Sequence, residues 1–238
     1  MHSRPARLLA RLLVLAVASA GALALAPAPD ARADSIRDLQ YWLDEYGISE
    51  AWQVTRGAGV TIAVIDSGVD ATHPDLAGAV IGGTDVSGRG ADDGTRPVSG
   101  TGRTHGTMVA SLAAGRGSGP TSGVIGAAPA ASLLSISLAF GSGERSADAQ
   151  VAEAVRWAVD NGADIISLSL TRNTLGWPES WDDAFGYAEE NDVVVVAAAG
   201  NRGSGTESVG APATMPGVLA VGGVDRSGIA SDNASSQG

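Results

Sequence analysis

The chain has 238 residues, 17% of them charged and 44% apolar, which excludes intrinsic disorder and leaves room for a sizeable core. Its 15 basic residues are all arginine and stand against 26 Asp and Glu, a formal charge of −11 that argues against nucleic acid or an anionic membrane as partner. With no cysteine, disulfides, a thiol nucleophile and a cysteine-based zinc site are excluded.

The first 33 residues read as a secretory signal peptide. Arg4, Arg7 and Arg11 form a positive start, residues 12–26 an apolar run, and Ala31-Arg32-Ala33 a cleavage pattern that predicts cutting after Ala33. The run is short against the roughly 20 residues that span a bilayer, and no later stretch is long and apolar enough to do so. The expected location is therefore extracellular. Removing this segment takes away four arginines and Asp30, which leaves 11 basic against 25 acidic residues and a charge of −14.

Residues 34–59 predict a short helical extension. Leu39, Trp42, Leu43 and Tyr46 recur at helical spacing, and residues 50–54 form a second helix. From residue 60 the pattern changes to apolar runs at 60–65, 133–138, 165–170, 193–199 and 218–224, with a weaker one at 79–86. Continuous runs of this kind suit strands buried on both faces. Between them, Met108, Val109 and Leu112 mark one helix, ended by Gly115. Ala147, Val151, Ala154, Val155, Ala158 and Val159 mark another, capped by Ser146 and stopped by Asn161-Gly162. Strand and helix in alternation define an α/β domain with a mostly parallel sheet over residues 60–238.

In such a sheet, catalytic and ligand-binding groups gather at the carboxyl ends of the strands. "TIAVIDSGVD" places Asp66 there, where a carboxylate is costly to bury unless it is paired; receiver and nucleotide-binding folds also end a strand on Asp. "RTHGTMVAS" places His105 at a helix start, on the i, i+3, i+4, i+7 face of Met108, Val109 and Leu112. If that face packs on the sheet, the imidazole points at the strand ends; a capping or core histidine is the alternative. His73, before Pro74 in "HPDL", reads as structural. "VVVVAAAGN" ends a strand on the small residues Ala198, Ala199 and Gly200, then Asn201. An amide there can donate to a developing oxyanion, or simply close a Gly-Asn turn.

Together, "VIDSGVDATHPDL", "THGTMVAS", "IISLSL" and "VVVVAAAGN" resemble the subtilisin-like serine peptidases, from about residue 50 to the end of the sequence. The stretch "SEAWQVTRGAGVTIAVIDSGVD" is similar to the mycosins that accompany type VII secretion. The resemblance implies a three-layer α/β fold and a serine endopeptidase with its triad in the order Asp, His, Ser. Asp66 would orient His105, His105 would be general base and then general acid, and Asn201 would donate to the oxyanion. Ser169, Leu170 and Thr171 would pair with an extended polypeptide substrate by strand addition. Ala198, Ala199 and Gly200 would form the opposite wall, and "FGSG" at 140–143 a more distant subsite. Thr171 stands where the family usually has Gly, which predicts a narrower outer pocket. Asp75 matches a calcium ligand of some members, but the loop at 115–123 offers few oxygen-bearing side chains for an ion needing 6–8 oxygens. No metal or other cofactor is expected.

The nucleophile segment of the family, G-T-S-x-A-x-P, does not occur. Ser67, Ser227, Ser231, Ser235 and Ser236 are not expected to replace it. The peptidase domain is thus expected to be incomplete at its carboxyl end, and the 238 residues to have no useful peptidase activity, since removing the serine from a subtilisin costs roughly a million-fold in turnover. One alternative is a non-catalytic, peptide-binding pseudo-peptidase ending at residue 238. Another is a phosphoacceptor or metal protein using Asp66, Asp70 and His73; the absence of lysine and the export signal speak against it.

Overall fold

The computed structural model describes residues 35–100, 102–139, 145–202 and 208–230. The expected signal peptide, the "FGSG" loop and Ser231, Ser235 and Ser236 lie outside these residues. Six strands, β1 (Thr61–Asp66), β2 (Val80–Asp85), β3 (Ser132–Ser137), β4 (Ile165–Leu168), β5 (Val194–Ala198) and β6 (Val218–Val221), form one sheet in the order β2-β3-β1-β4-β5-β6. Every pairing is parallel. All six expected strands are present, with β2, β4, β5 and β6 shorter than their apolar runs.

Alternate residues of the central strand feed two cores, as the two-residue period of a strand requires. Ile62 and Val64 pack with Leu76, Leu133, Ala110 and Ala114 on the face covered by helix α4 (His105–Ala114). Ala63 and Ile65 face the other core, with Val155 and Ala158 of α5 (Ala147–Asp160) and Trp181 and Phe185 of α6 (Glu179–Glu190). The layers are helix, sheet, helix. Ser146 caps α5 as expected, its hydroxyl accepting from the Ala149 N–H at 3.2 Å. Among the described residues no helix is long and apolar enough to cross a membrane.

Three expectations are corrected. The amino-terminal segment forms three single turns, α1 (Ser35–Asp38), α2 (Trp42–Glu45) and α3 (Ile48–Ala51), rather than two helices. Gly47, at φ 68°, breaks the chain between the last two. Of the expected stripe only Leu43 is buried, while Leu39 is 71% exposed. Turns this short do not hold themselves; hydrogen bonds from Arg37, Gln40 and Trp52 to residues 122–127 hold them.

The second correction concerns α4. Its buried face is Gly106, Thr107, Ala110, Ser111 and Ala114, not the stripe of Met108 and Leu112, which are 55% and 51% exposed. Small side chains let the helix lie close to the sheet. Met108 and Leu112 instead line an open groove with Ile36 and Val124. Third, the strands are not all buried on both faces. Val195 and Ala197 of β5 enter the core under α6, but Val194, Leu219 and Val221 are each more than half exposed. No described helix lies over that part of the sheet.

Candidate active site

Asp66 closes β1 and is 7% exposed. A carboxylate so placed needs donors, and it has them. The Ser67 N–H donates to Oδ1 at 2.7 Å, and His105 Nδ1 lies 2.9 Å from Oδ1 and 2.8 Å from Oδ2. A carboxylate only accepts, so the bond fixes the tautomer: Nδ1 carries the proton and Nε2 presents its lone pair. The imidazole itself is 48% exposed.

Three contacts set this geometry. The Gly106 N–H donates to Ser67 Oγ at 3.1 Å, and Ser67 Oγ donates to the Arg103 carbonyl at 3.3 Å. The Asp70 N–H donates to Thr107 Oγ1 at 2.9 Å. The first turn of α4 is thereby fastened to the chain leaving β1. Gly106 is required there, because a Cβ would overlap the Gly68 carbonyl oxygen and stand 3.2 Å from the Asp66 Cβ and Oδ1. Ser67 is thus a positioning residue that the sequence reading set aside; the Asp-Ser-Gly turn was its only signal.

The pair opens onto a cavity of about 580 Å³ that Ser169, Leu170 and Thr171 also line. Ile65 is level with Leu168, and Leu168 with Ala197. The next residues, Asp66, Ser169 and Ala198, therefore stand side by side at the ends of three adjacent strands. The ladder stops at Leu168, so the backbone of 169–171 runs on past its last paired residue. Ala198, Ala199 and Gly200 continue from β5 but do not line this cavity, and Asn201 is exposed just beyond them. The cavity's other wall comes from Val98, Ser99, Gly100 and Gly102 and from Arg89, Leu138 and Ala139, none of which the sequence had singled out.

Asp66, Asp70 and His73 do not form one cluster. Asp70 Oδ1 accepts from the Thr72 hydroxyl at 2.6 Å and the Thr72 N–H at 2.9 Å, while His73 Nδ1 accepts from the Asp75 N–H at 3.2 Å and caps the turn Pro74–Leu76. Among the described residues no group of three or more His, Asp or Glu could hold a metal.

The donors around Asp75 do not fit a calcium ion. Asp75 Oδ2 accepts from the Val124 N–H at 2.9 Å. The carbonyls of Ser122 and Gly123 in the same loop accept from the Arg37 guanidinium at 2.7 and 2.9 Å. Gln40 Oε1 accepts from the Ile125 N–H at 2.9 Å. A cation already occupies the loop, and it belongs to the protein.

A parallel sheet with a hydrogen-bonded Asp–His pair over its central strand, Asp first in the chain, defines the class of subtilisin-type α/β proteins. The Subtilase family model matches residues 57–238, and the chain belongs to that family. Over 197 residues it is 39% identical to thermitase of Thermoactinomyces vulgaris, covering 83% of this chain and 65% of thermitase. It is 37% identical over 192 residues to subtilisin E of Bacillus subtilis (strain 168), covering 76% and 47%. The chain thus spans less than two thirds of the length of these relatives. Among solved structures it is similar to MycP1 with its N-terminal propeptide removed, at TM-score 0.67 and 28% identity over 82% of this chain and 66% of that one. It is also similar to the MycP3 protease of the type VII (ESX-3) secretion system, at TM-score 0.65 and 33% identity over 82% and 61%.

Proposed function

We propose that these residues supply the acid–base half of a secreted serine endopeptidase that takes extended polypeptides, residues 1–33 being removed on export. The observation that carries this reading is the Asp66–His105 hydrogen bond at the mouth of the cleft. His105 Nε2 removes the proton from a serine hydroxyl, and the imidazolium so formed passes it to the leaving amine. Asp66 stays ionised throughout, holds the ring and stabilises its charge. The substrate lies as an added strand along residues 169–171, with Ala198, Ala199 and Gly200, at the neighbouring strand end and outside this cavity, walling the pocket for the residue before the cleaved bond, and Asn201 donating to the oxyanion.

The nucleophile lies outside these 238 residues, since no G-T-S-x-A-x-P segment occurs in them. Two experiments test the reading. A fluorophosphonate probe should leave the purified chain unlabelled; a labelled serine would overturn the placement of the nucleophile. A blocked extended peptide titrated into isotope-labelled protein should shift the amide signals of residues 169–171 and the imidazole of His105. Shifts confined to other regions would sink the cleft assignment.

A further inference from the structure

Arg89 belongs neither to the Asp–His pair nor to the wall along residues 169–171, yet it lines the cavity that holds both. Its position is built rather than incidental. After β2 ends at Asp85, the chain wraps around that carboxylate. Oδ1 accepts from the Ser87 N–H at 3.0 Å and the Ser87 hydroxyl at 2.6 Å, and Oδ2 accepts from the Gly90 N–H at 2.8 Å. The Arg89 N–H donates to Ser87 Oγ at 3.1 Å, and the Val86 N–H to the Ser137 carbonyl at 3.1 Å. The backbone on both sides of Arg89 is therefore fixed, which lowers the ordering cost of any contact its side chain makes.

The guanidinium at the end of this fixed loop makes no ion pair or side-chain hydrogen bond among the described residues. Two other arginines differ. Arg145 is paired with Glu153, and Arg172 with Asp148 at 2.7 Å. Among the described residues only one acidic side chain lines the cavity, Asp66, and both its oxygens are engaged by His105 and Ser67. Among the described lining residues, the charge left available to a bound molecule is one positive group, in a chain whose net charge is −11. The lining also includes the neutral and small Ser99, Gly100 and Ala139.

We propose that Arg89 is a specificity determinant that selects an acidic side chain, Asp or Glu, in the extended peptide lying across this cavity. This rests on the proposed peptide-binding function of the same cleft. A substrate carboxylate reaching Arg89 gains a charge-assisted hydrogen bond. A substrate Lys or Arg at the same place meets an uncompensated cation and is rejected. The protein's overall negative charge opposes an acidic peptide only at long range, where salt screens it beyond about 8 Å at physiological ionic strength. Contact with Arg89 lies well inside that distance.

The test uses the 238-residue chain and requires no catalysis. A set of blocked, fluorescent octapeptides carries Glu, Gln or Lys at each position in turn, and binding is read by anisotropy at constant ionic strength. At one position Glu should bind about fivefold more tightly than Gln, and Lys more weakly than Gln, as one partly exposed ion pair provides. The Glu preference should vanish in Arg89→Gln and become a Lys preference in Arg89→Glu, with unchanged circular dichroism because the residue is exposed. Equal binding of Glu and Gln peptides overturns the proposal and leaves the peptide cleft standing, as does a Glu preference that survives in Arg89→Gln. If no peptide of the set binds, the cleft reading itself falls, and this proposal with it.

Discussion

Replacing Arg37 by Ala removes the cation that closes the loop at residues 115–125. Two hydrogen bonds go with it, from Nε to the Gly123 carbonyl at 2.9 Å and from a terminal nitrogen to the Ser122 carbonyl at 2.7 Å. A bond from a charged donor contributes about 1.5–3 kcal/mol when shielded. Arg37 is half-buried, and water can replace part of what is lost, so about 1 kcal/mol per bond is the appropriate figure. The expected loss is about 2 kcal/mol, a fall in Tm of about 4–8 °C at about 2–4 °C per kcal/mol for a domain of this size. Arg37→Lys keeps the charge but not the planar fork, and should fall between the two. The assay is thermal unfolding followed by circular dichroism, in chelator and again in millimolar calcium. The wild-type Tm should be the same in both, whereas an ion bound at a hundred times its Kd would add about 2.7 kcal/mol. A calcium-dependent rise in the wild-type Tm, or an unchanged Tm in Arg37→Ala, refutes the reasoning.

Gly106→Ala sets two effects against each other: alanine favours the helix by about 1 kcal/mol, but its Cβ presses on the Gly68 carbonyl and the Asp66 carboxylate, and overpacking of this kind costs about 1–3 kcal/mol. Strain should win, lowering the urea midpoint and moving the His105 imidazole resonances; a midpoint that rises refutes the close approach. Ser137 Oγ is buried without a partner among the described residues, and an orphaned hydroxyl costs about 1–3 kcal/mol, so Ser137→Ala should raise Tm by a few degrees rather than lower it. The Thr72 hydroxyl, opposed by partial burial and helped by the Thr72 N–H and by nearby His73, holds the Asp70 carboxyl below its ordinary value. The resulting stability is present above the unfolded-state pKa of about 3.9 and is lost as pH falls through the lower folded value. Thr72→Val should therefore flatten the acid limb of the urea-midpoint profile while lowering its neutral plateau, and an acid limb of unchanged steepness would contradict this.

The strands were legible because a parallel sheet between helices demands apolar residues at consecutive positions, and little else in a globular chain does. Where one side of the sheet lies open, as at Leu219 and Val221, the same signal overstated burial. The orientation of α4 was hidden for the opposite reason. Periodicity is weighted by bulk, so Met108 and Leu112 drew the face toward themselves, whereas close packing on β1 selects Gly106, Ala110 and Ala114. Helix α6 carries a readable i, i+3, i+4, i+7 stripe, Trp181, Ala184, Phe185 and Ala188, but five acidic residues and Gly186 dilute it. Asp66 and His105 could be found because each closes or opens an element. Arg89 could not: a single charge in a glycine-rich loop has no periodicity, and only the fold shows what it faces. The calcium question turned on Arg37, 86 residues away from the loop carbonyl it bonds.

The position of β1 at the centre of the sheet governs how the protein reaches this state. Its neighbours are β3 and β4, so aligning Thr61 with Ser132 and Ile62 with Ile165 closes loops of about 70 and about 100 residues, each at an entropic cost on the order of 4 kcal/mol. Chains dominated by such distant pairings fold slowly, and the strand that carries Asp66 is flanked on both edges only when the segment at 165–168 has arrived. A chain emerging from a ribosome therefore holds residues 66 and 105 long before it has the sheet that makes them a pair.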